Sequence, residues 1–280
     1  MEGPRTVLLP TDFSESARNA IQYGLQLYKD RGYNFVLLNS VELTTASSSA
    51  GMILNMAEIL AKDSLERLSK DKDWIKSLSE AENCNIETVQ MFGEFLSCVK
   101  HIIKDKTIDM VIMGTTGASG LKEFFVGSNA ASVLLEINLP TLTVPFNSKF
   151  NGIRKIVFAT DLKPIKNCNH LLFLKEIGIK RNAKIVILHI KKSSSKISET
   201  DKIIAKDIRL EYFSDCDVDM VYSENEDTIE GIQDYMHENM DVDMITMVPR
   251  KKNFFAKIFS KGVAKKVAYH STVPMLALQE

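Results

Sequence analysis

Residues 5–14 read RTVLLPTDFS, and residues 154–163 read RKIVFATDLK. In both, an apolar run of strand length stops at a Thr-Asp pair. Three more pairs follow in the same order. FVLLNSV at 35–41 matches IVILHIK at 185–191, IDMVIMG at 108–114 matches VDMITMV at 242–248, and LPTLTVP at 139–145 matches VPMLALQ at 273–279. Four matched segments in one order point to an internal duplication.

The runs are continuously apolar, which suits parallel strands covered on both faces by helices. In the first half they predict strands near 6–11, 34–41, 86–91, 109–114 and 141–145. After the first run, Ala17, Ala20, Ile21, Gly24, Leu25 and Tyr28 recur at helical spacing, with Ser14 or Ser16 placed to cap the start. Strand and helix thus alternate through each half, and the expected fold is α/β. It comprises two tandem, doubly wound, parallel five-stranded sheets of Rossmann-like form, with domains at 1–147 and 152–280. Right-handed crossovers place a ligand site at the carboxyl ends of strands one, two and four.

The copies lie 149 residues apart at the first strand but 134 apart at the fourth, so the first half is longer between its second and third strands. That extra segment holds a Ser/Thr-rich stretch at 43–52, read as a surface loop or a flap beside the site, then a helix over Ala57–Leu78. NSKFNGIRK at 147–155 reads as a short polar linker.

Composition narrows the function. Thirty-five basic and 36 acidic side chains leave a net charge of -1, which gives no global attraction to nucleic acid. No run approaches the ~20 apolar residues that span a bilayer, and the N-terminal apolar run is too short for a signal peptide, so a soluble cytoplasmic chain is expected. Cys84, Cys98, Cys168 and Cys216 lack zinc or disulfide spacing, and the five histidines fall in no catalytic or metal pattern. His189 reads as a satisfied core residue. With no evident base for attacking water, binding is expected rather than turnover.

The chemistry concentrates in MGTTGASGLKEFFVGSNA at 113–130. Gly114 ends a strand where a Cβ would obstruct a ligand, Gly117 and Gly120 permit positive φ, and Gly127-Ser128 open a helix whose N–H groups suit an anion. The same pattern also fits a plain glycine-rich turn, and its spacing matches neither a P-loop nor a dinucleotide fingerprint. Its counterpart, MVPRKKNFFAKIFSKGVA at 247–264, has lost the glycines and carries Arg250, Lys251, Lys252, Lys257 and Lys261, followed by Lys265 and Lys266. That face reads as solvated, or as a surface for an acidic partner.

PTDFSESA after the first strand, LLNSV as the second and the glycine stretch after the fourth resemble the universal stress protein family in its tandem two-domain form. The resemblance implies a stress-response or signalling role and an ATP, with or without Mg, in the first half only. Pro10, Thr11 and Asp12 would line the nucleoside side, with Ser40 and Val41 beside the adenine. Met113, Gly114, Thr116 and Gly117 would border the ribose and inner phosphates, and Gly127, Ser128 and Asn129 the outer ones. Asp12 reads equally as a helix-capping residue, since Asp161 persists where the glycines are lost. The resemblance also implies that TLTVP and PMLAL pair to make an intramolecular pseudo-dimer, leaving a homodimer and a protein partner open. The competing readings are a scaffold that binds no nucleotide and uses the basic face of the second half, and an ATPase whose turnover is slow and positional.

Overall fold

The computed structural model describes residues 5–29, 32–43, 50–115, 127–163, 165, 170–192, 194, 197–248 and 273–278. The first half contains β1 (Thr6–Pro10), α1 (Glu15–Leu27), β2 (Asn34–Val41), α2 (Ala50–Ser77), β3 (Asn85–Phe92), α3 (Phe95–Asp105), β4 (Met110–Gly114), α4 (Ser128–Glu136) and β5 (Thr141–Val144). The second contains β6 (Lys155–Ala159), α5 (Leu171–Arg181), β7 (Lys184–Lys191), α6 (Glu199–Asp207), β8 (Val218–Glu224), α7 (Thr228–Glu238), β9 (Met244–Met247) and β10 (Met275–Ala277).

All ten strands form one sheet in the order β3-β2-β1-β4-β5-β10-β9-β6-β7-β8. Every neighbouring pair is parallel except β5 and β10, where Thr141, Leu142 and Thr143 face Ala277, Leu276 and Met275 antiparallel. The two final strands therefore close each other's edges, as the resemblance implied. Because they run in opposite directions, the carboxyl ends of the two half-sheets emerge at opposite ends of the molecule.

Strand alternation builds the layers. Leu9, Leu37, Ile112, Phe158 and Ile187 point into one core that runs under α1, α2 and α5 across both halves. Leu8, Val36 and Val111 point the other way, onto Val99 of α3 and Val133 of α4. Val157, Val186 and Ile245 pack likewise on Ile232 and Met236 of α7, where Leu134 of α4 joins them across the halves. Covered on both faces, the inner strands tolerate continuous apolar sequence, whereas the outermost strands β3 and β8 are mostly half-exposed.

The helical stripe on α1 is buried as predicted, and Ser14 rather than Ser16 supplies the cap, accepting the Ala17 N–H at 3.2 Å. The helix expected to begin at Ala57 begins at Ala50, so residues 50–52 lie in α2 rather than in a loop. The Ser/Thr cluster ends at Ser49, and AGMILNMAEIL contains no residue that halts a helix except Gly51. Residues 44–49 lie outside the described residues.

The linker is docked rather than loose. Asn19 of α1 donates to the carbonyls of Pro145 and Ser148 at 3.1 and 2.9 Å and accepts from Lys149 at 2.8 Å, while Phe150 stacks edge-on against Tyr23. Across the halves, Glu176 of α5 accepts the Tyr33 hydroxyl at 2.9 Å and pairs with Arg5 at 3.0 Å. Arg181 of α5 donates to the Gln26 and Leu27 carbonyls at the end of α1. The correspondence of the two halves extends to hydrogen bonds, because Asp109 accepts the Thr6 N–H and its counterpart Asp243 accepts the Arg154 and Lys155 N–H groups.

Candidate functional site

Strand order brings the predicted residues of the first half to one edge. Pro10 ends β1, Ser40 and Val41 end β2, and Met113 and Gly114 end β4, with β1 lying between the other two. The Thr11 N–H continues the ladder by donating to the Leu38 carbonyl at 2.8 Å, and Thr115 N–H donates to Val144. Gly127 N–H then donates to the Thr115 carbonyl, so the two ends of the glycine loop are pinned together. Thr116, Gly117 and the remainder of that loop to Val126 lie outside the described residues.

Gly127 holds the N-cap of α4 at φ -59 and, having no side chain, leaves that end uncapped by its own cap residue. Ser128 and Asn129 form the exposed first turn. An uncapped helix start offers backbone N–H groups and the positive end of the helix dipole to an anion. Its φ is ordinary, so glycine is not needed there for conformation.

Gly114 has a reason independent of any ligand. A Cβ built there would lie 2.6 Å from the Ser16 hydroxyl and 3.0 Å from the Ser16 carbonyl, so the first turn of α1 crosses directly over the end of β4. The side-chain-free surface that sequence reading assigned to a bound molecule is occupied by the protein's own helix.

The Thr11-Asp12 pair forms a tight turn. Thr11 Oγ1 accepts the Phe13 N–H at 2.9 Å, Asp12 Oδ1 accepts the Ser14 N–H at 3.0 Å, and Phe13 sits at φ 64. Thr11 is buried and Asp12 is exposed. The second half repeats this: Thr160 Oγ1 accepts Leu162 N–H, Asp161 Oδ1 accepts Lys163 N–H, and Leu162 sits at φ 51. Asp12 is thus a turn-forming residue two positions outside the cap, which Ser14 supplies.

Sequence reading missed Asn39. It is 7% exposed inside β2, donating to the Thr11 carbonyl at 2.7 Å and accepting the Ser64 hydroxyl of α2 at 2.7 Å. The signal was an amide within FVLLNSV, since a polar side chain in a doubly covered strand needs a partner. Its counterpart is His189, whose Nδ1 lies 3.0 Å from the Thr160 carbonyl, so that nitrogen carries the proton. His189 is satisfied as expected, though half-buried rather than fully enclosed.

Nearby thiol chemistry is disfavoured, because burial, then the Glu94 and Glu42 charges, push the Cys98 thiol up. Among the described residues no three His, Cys, Asp or Glu side chains group to hold a metal ion, and no helix is long and apolar enough to cross a membrane. In the second half Val248 stands where Gly114 did, half-buried against the core. Pro249, Arg250, Lys251, Lys252, Lys257, Lys261, Lys265 and Lys266 lie outside the described residues.

Comparison with known proteins sets this arrangement in a family. Universal stress protein MJ0531 of Methanocaldococcus jannaschii is 24% identical over 142 residues, covering 50% of this chain and 81% of that protein. The crystal structure of a universal stress protein from Archaeoglobus fulgidus superposes with a TM-score of 0.68 at 16% identity, covering 98% of both chains. An Arabidopsis thaliana universal stress protein family protein, solved with AMP bound, covers 50% of this chain and 90% of its own at 16% identity and a TM-score of 0.36. Residues 4–145 match the model of the universal stress protein family, which spans the whole first half, its strand-end turn and its glycine loop. On that match the chain belongs to the universal stress protein family.

Proposed function

We propose that the chain is a nucleotide-binding stress-response or signalling module of the cytoplasm that takes one ATP, in the first of two domains spanning 1–147 and 152–280. The observation that carries this reading is the asymmetry of two otherwise matched strand ends. Both halves keep the Thr-Asp turn, but the first alone has the glycine loop, its ends joined by the Gly127-to-Thr115 hydrogen bond, leading into a helix whose N-cap has no side chain. Those are parts suited to a phosphate chain.

In this reading Thr11, Asp12, Ser40, Val41 and Met113 border the nucleoside, while the α4 start at Gly127, Ser128 and Asn129 meets the outer phosphates. Thr116 and Gly117 are assigned to the inner phosphates by the motif alone. Asp12 is the one carboxylate in the set, so Mg would travel chiefly on the phosphates. The chain supplies binding and orientation rather than a base, and a change at the bound loop is what a protein partner would read.

Titration with Mg-ATP in a calorimeter tests this. The expected result is about one site per chain, abolished by Gly127→Lys. Lys is compatible with the φ of -59 at that position, so the substitution tests the phosphate site rather than the backbone. No heat at millimolar ATP would sink the reading, and two sites would refute the silent second half.

A further inference from the structure

The helix that is much the longer in the first half lies against the turn that the proposed nucleotide must meet. Helix α2 runs 28 residues, whereas its counterpart α6 runs nine. Four side chains at helical spacing on α2, Ser64, Arg67, Asp71 and Trp74, share one face. Arg67, Asp71 and Trp74 touch the first strand-end turn or the helix that follows it, and Ser64 reaches the turn through Asn39. Ser64, 3% exposed, donates to Asn39, which holds the Thr11 carbonyl. The Arg67 guanidinium lies 4.1 Å above the Phe13 ring. Asp71, fully buried, accepts Arg18 Nε and Nη2 of α1 at 3.0 and 2.6 Å, and Arg18 in turn lies over the Trp74 ring at 5.7 Å.

Two of these contacts bear on Phe13, Arg67 directly and Ser64 by way of Asn39 and Thr11. A bulky residue at φ 64 occupies a sparsely populated backbone region, which persists only where its surroundings over-determine it. Asn39 fixes the residue two positions before it, and Arg67 covers its ring. In the second half His189 holds the equivalent Thr160 carbonyl, but its backing and the cover of the third residue differ. Leu162 has no ring for a cation to cover and is instead 1% exposed in the core, and His189 stacks edge-on against Tyr222 of β8.

We infer that Asn39, Ser64 and Arg67 are positioning residues for the nucleotide site, through which α2 fixes the Thr11–Phe13 turn in the geometry that receives the ligand. The inference rests on the nucleotide reading above and adds to it a part for the longer helix. By linkage, a ligand that tightens the turn also tightens α2 against it.

Two readouts on the full chain separate this from plain packing. Arg67 is half-exposed, so Arg67→Ala leaves the fold intact, and Arg67→Lys keeps a cation over the ring. With Arg67→Ala the Mg-ATP dissociation constant should rise about threefold, and with Ser64→Ala, which strands the Asn39 acceptor, about tenfold, while Arg67→Lys recovers most of the loss. In the ligand-free protein, amide exchange at Phe13 and Ser14 should quicken about tenfold in Ser64→Ala while that of Leu8 in β1 is unchanged. Unaltered exchange at Phe13 overturns the inference whatever ATP does. Faster exchange with an unchanged dissociation constant overturns it as well, since the turn would then be fixed for no ligand's sake. If wild type takes up no ATP the nucleotide reading fails, and the positioning claim falls with it.

Discussion

The Thr11–Ser14 and Thr160–Lys163 turns have the same hydrogen bonds and the same left-handed third residue, yet they stand at strand ends of very different kinds. What repeats is therefore what the fold needs, and what differs is where a specific role can lie. Thr and Asp at these positions build a turn in both halves. Around that turn the first half brings α1 in at once, starting at Glu15. At the position equivalent to Ser16 the second half has Ile165, outside any helix. This is why β4 must end in glycine while β9 can be followed by Val248.

The sharpest way to break this comparison is to exchange the two residues. Gly114→Val drives a branched side chain into the Ser16 backbone, and overpacking of that kind should cost about 2 to 3 kcal/mol. Val248→Gly, in a half where the position equivalent to Ser16 lies outside any helix, should cost about 1 kcal/mol through lost packing and added chain freedom. Urea midpoints of the two variants measure both values. Equal losses would mean that helix timing does not explain the glycine.

The strand positions, the correspondence of the two halves and the helical stripe of α1 were legible because each is carried by apolar periodicity, which burial enforces residue by residue. The early start of α2 was not, because its first two turns follow directly on a Ser/Thr-rich stretch that reads as loop. At the site, position was legible and cause was not. Gly114 looked the same whether it cleared a ligand or a helix, and the distinction depends on Ser16, 98 positions earlier in the chain. Asn39 and Ser64 are 25 residues apart, and nothing in either local pattern names the other.

A second contrast concerns how the paired helices end. Helix α5 closes itself, with Asn182 in the left-handed conformation and its N–H bonded to Gly178 and Ile179. Helix α1 is closed in part from the other half, by the Arg181 guanidinium on the Gln26 and Leu27 carbonyls at 2.7 and 2.6 Å. A cation on orphan carbonyls at a helix C-terminus is worth more than a neutral bond, so Arg181→Ala should cost about 2 kcal/mol. Its signature is location: amide exchange should quicken at the end of α1 in the first half, although the substitution lies in the second. Faster exchange confined to α5 would show that the halves do not support one another there.

The smallest expected effect sharpens the comparison between α3 and α7, which each begin under an acidic cap. Glu94 accepts the Leu96 and Ser97 N–H groups and the Ser97 hydroxyl, and Asp227 accepts the Ile229 and Glu230 N–H groups. The Ser97 hydroxyl, followed by the Leu96 and Ser97 N–H groups, holds the Glu94 carboxyl below its usual value. A carboxylate depressed in the folded state stabilises it at any pH above the unfolded value of about 4.3, and that contribution disappears as pH falls through the lower folded value. Glu94→Gln keeps an acceptor but removes the charge, so wild type should exceed the variant in stability at neutral pH and converge with it on acidification. Urea midpoints for both proteins across the acid range measure the gap. A gap that persists undiminished in acid would show that Glu94 caps α3 by shape alone, with no help from its charge at the positive end of the helix.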